Sequence, residues 1–202
     1  GTYEEMTVMN DKIEIRLNGR TGTILSMKNK ETGTEYFCNI SGEVPFEIYI
    51  MDKITRDIKV CLPPENFKVA HHDEKNVVLE YGLNENAIKV KCTITIGDDE
   101  ISTWRMEIAN KGDNPVVQTA FPLLPVLIGG ENANDVLIFP RVHGARLENP
   151  VAKGGCSFLY PSRASMQWMF LYNENGGLYF ASYDKEINSK DIEAIPYPEG
   201  LN

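Results

Sequence analysis

Polar and apolar residues alternate along much of this chain. Ile13, Ile15 and Leu17 alternate with Lys12, Glu14 and Arg16. Ile88, Val90, Cys92, Ile94 and Ile96 alternate with Lys89, Lys91, Thr93 and Thr95. Trp104, Met106 and Ile108 alternate with Arg105 and Glu107. Successive strand side chains point to opposite faces, so each run predicts a strand with one apolar face. Runs rich in aromatic and β-branched residues at 46–51, 77–81, 136–139, 168–172 and 178–183 predict further strands. Turn chemistry separates them. Asn18-Gly19 and Thr21-Gly22 punctuate the first pair, Gly97-Asp98-Asp99 predicts a hairpin, and Asn173 to Gly177 predicts another. Residues 110–115 form a further turn. No segment of about ten residues or more carries a helical apolar period, so helix is expected to be minor.

Many short strands separated by turns imply a sandwich or barrel. The expected fold is all-β: a large two-sheet, mostly antiparallel β-sandwich over residues 1–194, followed by an extended linker over 195–202. Residues 140–166 are rich in Gly, Pro and Ser and predict a long structured loop, the kind of segment that carries function.

Composition narrows the ligands. The chain has 202 residues and a net charge of −9, with no Lys/Arg cluster. Nucleic acid needs a basic patch, so it is an unsuitable partner, as is an anionic membrane surface. A neutral sugar is unaffected by net charge. The most apolar stretch, 116–128, is broken by Pro122 and Pro125 and is too short to span a bilayer, so no membrane insertion is expected. The chain opens on Gly1 rather than Met and is expected to start after a removed signal. Cys38, Cys61, Cys92 and Cys156 lie far apart without zinc-ligand spacing. Cys92 falls on an apolar strand face and predicts a buried free thiol. No closely spaced Asp/Asn run suits calcium, so no metal and no cofactor is expected.

The N-terminal hairpin carries a resemblance. A strand, the Asn18-Gly19 turn, a second strand ending in Asn29-Lys30-Glu31-Thr32-Gly33 and then the aromatic Tyr36 resemble the opening of the galactose-mutarotase-like supersandwich. Phe139-Pro140-Arg141-Val142-His143-Gly144, then Tyr160 to Trp168, then Gly176 to Lys185 follow an order similar to the N-terminal domain of bacterial glycoside-hydrolase-like proteins. Endo-α-N-acetylgalactosaminidases and related α-glycosidases share that layout, with the sandwich preceding a (β/α)-barrel that holds the catalytic carboxylates. The resemblance spans roughly residues 10–190 and implies a non-catalytic accessory domain. Its partners would be carbohydrate and a catalytic barrel of the same polypeptide, in a secreted or periplasmic protein.

The residues support that reading more than an independent enzyme. Glycosidases need two carboxylates about 5–10 Å apart, and no recognisable pair stands out among the 29 Asp and Glu. Asp98-Asp99-Glu100 reads as a charged turn. A sugar epimerase needs a base and converging histidines; this chain has only His71, His72 and His143. Ala70-His71-His72-Asp73 reads as a solvated turn. There is no nucleophile elbow and no phosphate-binding glycine loop. The sugar-contacting candidates are Arg141 and His143, Arg163, Trp168 and Asp184. Arg forks bind hydroxyls or carboxylates through paired donors; packing on a neighbouring domain is the alternative. Trp168 offers a stacking face, although Gln167 to Tyr172 is apolar on both faces, as a buried strand would be. Trp104 is expected in the core. Asp184 closes a predicted strand, where the resemblance implies that it faces the barrel and a turn cap is the plainer role. A stand-alone carbohydrate-binding module is the second functional expectation and would require exposed aromatics on one strand face.

Overall fold

The computed structural model describes residues 4–38, 44–196 and 200–201. The chain divides into two compact units, one of Gly1–Thr32 with Asn39–Leu123, the other of Gly33–Cys38 with Leu124–Asn202.

The first unit holds β1 (Glu5–Met9), β2 (Ile13–Asn18), β3 (Ile24–Asn29), β4 (Glu47–Met51), β5 (Ile58–Val60), β6 (Asn66–His72), β7 (Asn76–Leu83), β8 (Ile88–Ile96), β9 (Ser102–Asn110) and β10 (Val116–Ala120). Their sheets have the orders β1-β2-β3, β10-β4-β5 and β6-β7-β8-β9, with antiparallel neighbours throughout. The period of two in the sequence becomes burial. Ile88, Val90, Cys92, Ile94 and Ile96 are all buried, while the residues between them are not. Tyr81 of β7 meets Phe46, beside β4, edge to face at 5.0 Å. That contact joins two sheets face to face, as sandwich packing requires.

Two local expectations change. His71 and His72 belong to β6 rather than a turn, because their backbone pairs with Val78 and Val77 of β7. The turn falls later, where Asp73 N–H bonds Asn76 O at 2.9 Å. His71 pairs with Asp73 at 2.7 Å, and His72 Nε2 lies 2.9 Å from the Thr7 carbonyl. Trp104 is half-buried rather than core, because β9 is the edge strand of its sheet. Its indole N–H donates to Ser102 Oγ at 2.9 Å.

The second unit holds β11 (Val136–Phe139), β12 (Ala145–Glu148), β13 (Cys156–Tyr160), β14 (Trp168–Asn173), β15 (Gly176–Ala181) and β16 (Lys190–Ala194). Residues 140–166 therefore carry two strands instead of forming one long loop. A four-stranded sheet runs β12-β11-β14-β15, and β13 pairs with β16. Phe139 of β11 stacks on Phe158 of β13, with centroids 5.5 Å apart and planes 9° apart. The β13–β16 pair thus covers the face that bears Leu137, Phe139 and Leu171, all buried. A single 3₁₀ turn, Ile128–Gly130, is the helical element among the described residues. Part of the expected linker, 197–199 and Asn202, lies outside the described residues. Leu201 is buried and exchanges two backbone hydrogen bonds with Val126, at 2.7 and 3.0 Å.

The chain is thus all-β, built of open, mostly antiparallel sheets in an arrangement of the β-sandwich kind. No described sheet closes into a barrel.

Candidate ligand-binding site

Register brings the sequence candidates to one end of the four-stranded sheet. Phe139 at the end of β11 pairs with Ala145 at the start of β12, and Trp168 at the start of β14 pairs with Ala181 at the end of β15. Arg141 and His143 lie in the β11–β12 turn, Arg163 lies between β13 and β14, and Asp184 follows β15.

Two segments are tied directly. Arg141 bridges Ala164, and Val142 N–H bonds the Arg163 carbonyl at 3.3 Å. Val142 adopts φ +55°, which turns the chain back toward β12. Together these segments line an open depression of about 530 Å³, formed by Arg141, Val142, Pro161, Ser162, Arg163, Ala164 and Ser165. Both arginines are exposed, and neither pairs with a carboxylate among the described residues. Two unneutralised guanidinium forks and two serine hydroxyls offer donors to hydroxyl or carboxylate oxygens. Among the described residues, the lining includes no carboxylate and no histidine. His143 is exposed in the adjoining turn and does not line it.

Trp168 stands on the sheet face opposite Phe139. It is half-buried and stacks on Tyr179 of β15, with centroids 6.1 Å apart and planes 30° apart. The expectation of a core tryptophan does not hold, because the β13–β16 pair covers the other face. Asp184 is engaged in its own turn. Its carboxylate accepts Lys190 Nζ at 2.6 Å and the N–H groups of Glu186 and Asn188, each at 2.9 Å. Those bonds, the Lys190 contact foremost, hold its pKa down to about 2. It therefore serves as the cap of that turn.

The aromatic companions of Trp168 were not singled out in the sequence. Phe170, Tyr172 and Tyr179 become legible once the short Asn173–Gly176 hairpin sets the register. Cys92 is a buried free thiol pushed up to about 12 by burial. Among the described residues, no three His, Cys, Asp or Glu side chains converge as metal ligands would. No protein-family model matches the sequence, and no curated protein matches it significantly.

Proposed function

We propose that this chain is a sugar-contacting accessory domain of a carbohydrate-active enzyme, working beside a catalytic barrel that performs the bond cleavage. The observation that carries the reading is the depression shared by Arg141 and Arg163, whose guanidinium groups are free to donate to ligand oxygens. Trp168 at the same sheet end adds an apolar ring. Sugar recognition combines such fixed donors with flat aromatic surface. The resemblance of the opening hairpin and of the 139–185 motif order to glycosidase N-terminal sandwiches agrees with this role. A secreted or periplasmic location would follow from it.

The test is hydrolysis by the full-length protein. Arg141→Ala and Arg163→Ala should each raise KM for the glycan by roughly tenfold, since a charged hydrogen bond contributes about 1.5–3 kcal/mol. Unchanged hydrolysis in both variants would remove the reading. A specific observation favours a second reading, a stand-alone carbohydrate-binding module: the aromatics of β14 and β15 lie on the less covered sheet face, with Tyr179 58% exposed. Glycan binding by a chain that accompanies no hydrolytic activity would favour that module.

A further inference from the structure

The face of the β12-β11-β14-β15 sheet opposite Phe139 carries an organised set of aromatic rings, three half-buried and one, Tyr179, exposed. Trp168, Phe170 and Tyr172 alternate along β14 and point to one side. Phe170 is the cross-strand partner of Tyr179, so Tyr179 joins the same face. The rings fall into two near-parallel pairs. Trp168 and Tyr179 are inclined by 30°, and Phe170 and Tyr172 by 20° at 5.4 Å.

Gly177 explains how Phe170 lies down. It pairs with Tyr172 in β15, and a Cβ there would come within 2.6 Å of Phe170 Cζ. Without that Cβ, the Phe170 ring reaches across the neighbouring strand instead of standing away from it.

The polar margin of the face is internally neutral. Arg146 of β12 donates to Glu148, which also lies on this face. The Arg146 and Glu148 side chains are each 56% exposed. They present donors and acceptors without a free charge. Among the described residues of this face, the Arg146 cation is paired with Glu148, so the face suits a ligand of hydroxyls and C–H faces better than an anion.

We propose that this face is a stacking platform for a neutral oligosaccharide, continuing away from the Arg141/Arg163 depression. From Trp168 to Tyr172 the strand runs about 13 Å, at roughly 3.3 Å per residue. That length exceeds one sugar ring, so the platform favours a chain over a monosaccharide. The proposal deepens the sugar-contacting function above and rests on it.

The experiment is a titration of the full chain with neutral gluco-, xylo- and galacto-oligosaccharides of increasing length, read by calorimetry and by Trp fluorescence. Tyr179→Ala removes an exposed ring and leaves the core intact. Tyr179→Phe keeps the ring and removes the hydroxyl. Affinity should rise with sugar length, fall by roughly tenfold in Tyr179→Ala and be retained in Tyr179→Phe. Arg141→Ala serves as the independent control. Binding that is lost in Arg141→Ala but untouched in Tyr179→Ala would overturn the platform and keep the arginine contact. Loss in Tyr179→Ala alone would keep the platform and remove the arginine contact. No binding by the parent chain, or self-association that Tyr179→Ala abolishes, would assign the face elsewhere and overturn the proposal.

Discussion

The Lys190 ammonium lies 2.6 Å from an Asp184 carboxylate oxygen and 2.8 Å from Gln167 Oε1, with the Tyr160 ring 5.3 Å away. One side chain of β16 thereby holds the turn after β15 and the residue that precedes Trp168. Gln167 closes the set by donating to the Asp184 carbonyl at 3.2 Å.

This pairing sets an acid limb. Asp184 sits at about 2 instead of its ordinary 3.8, chiefly through Lys190. A depressed carboxylate stabilises the fold above its unfolded pKa, and that contribution is lost as pH falls from about 3.8 through about 2. Lys190→Met should lower the denaturant midpoint at pH 7, and its deficit should shrink as pH falls through that window. Denaturant unfolding of both proteins across that range is the check; a deficit independent of pH would show that the lysine acts through packing.

Phe158 is 2% exposed and stacks on Phe139. Phe158→Ala should cost about 3–5 kcal/mol, the range for emptying a buried aromatic site. Equilibrium denaturation measures it. A loss below about 1 kcal/mol would mean that the β13–β16 pair does not rest on this ring.

Tyr81 is buried, and its hydroxyl has no hydrogen-bond partner among the described residues. Burial foremost, with the neighbouring Cys92, drives its pKa upward. An unsatisfied buried hydroxyl costs about 1–3 kcal/mol, so Tyr81→Phe should stabilise the protein by about 1 kcal/mol or more. A clear destabilisation would reveal a partner for the hydroxyl, such as a bound water.

Gly154 and Gly155 separate two costs. Both have positive φ, +83° and +70°. A methyl at Gly154 meets nothing, whereas one at Gly155 would overlap the Ala194 carbonyl oxygen at the end of β16. Gly154→Ala should cost about 1–3 kcal/mol from backbone strain. Gly155→Ala should cost more, with earlier thermal loss of the β13–β16 pair. Equal melting temperatures for the two variants would contradict the close approach.

Strand periodicity was legible in the sequence where one face is fully buried. Ile88 to Ile96 is a strand at those two limits, and Val136 to Phe139 likewise. Short strands that carry polar or exposed residues were not. Asn66–His72, Ala145–Glu148 and Lys190–Ala194 form because an antiparallel neighbour satisfies their backbone, and single-chain pattern does not reveal the neighbour. Arg141 and Arg163 were legible as candidates by residue type alone. Their shared depression depends on a bridge between segments more than 20 positions apart.

The alternation of side chains thus determined the all-β class, the principal strands and the burial of Cys92, because period two is a local property of extended backbone. Tertiary structure decided which apolar face is covered. Trp168, Phe170 and Tyr172 have large apolar rings as Met169 and Leu171 have apolar chains, and side-chain type alone does not say which side of β14 is covered. The β13–β16 pair packs through Phe158 onto the Phe139 side, and on the opposite side Trp168, Phe170 and Tyr172 stay half-buried while Tyr179 is exposed.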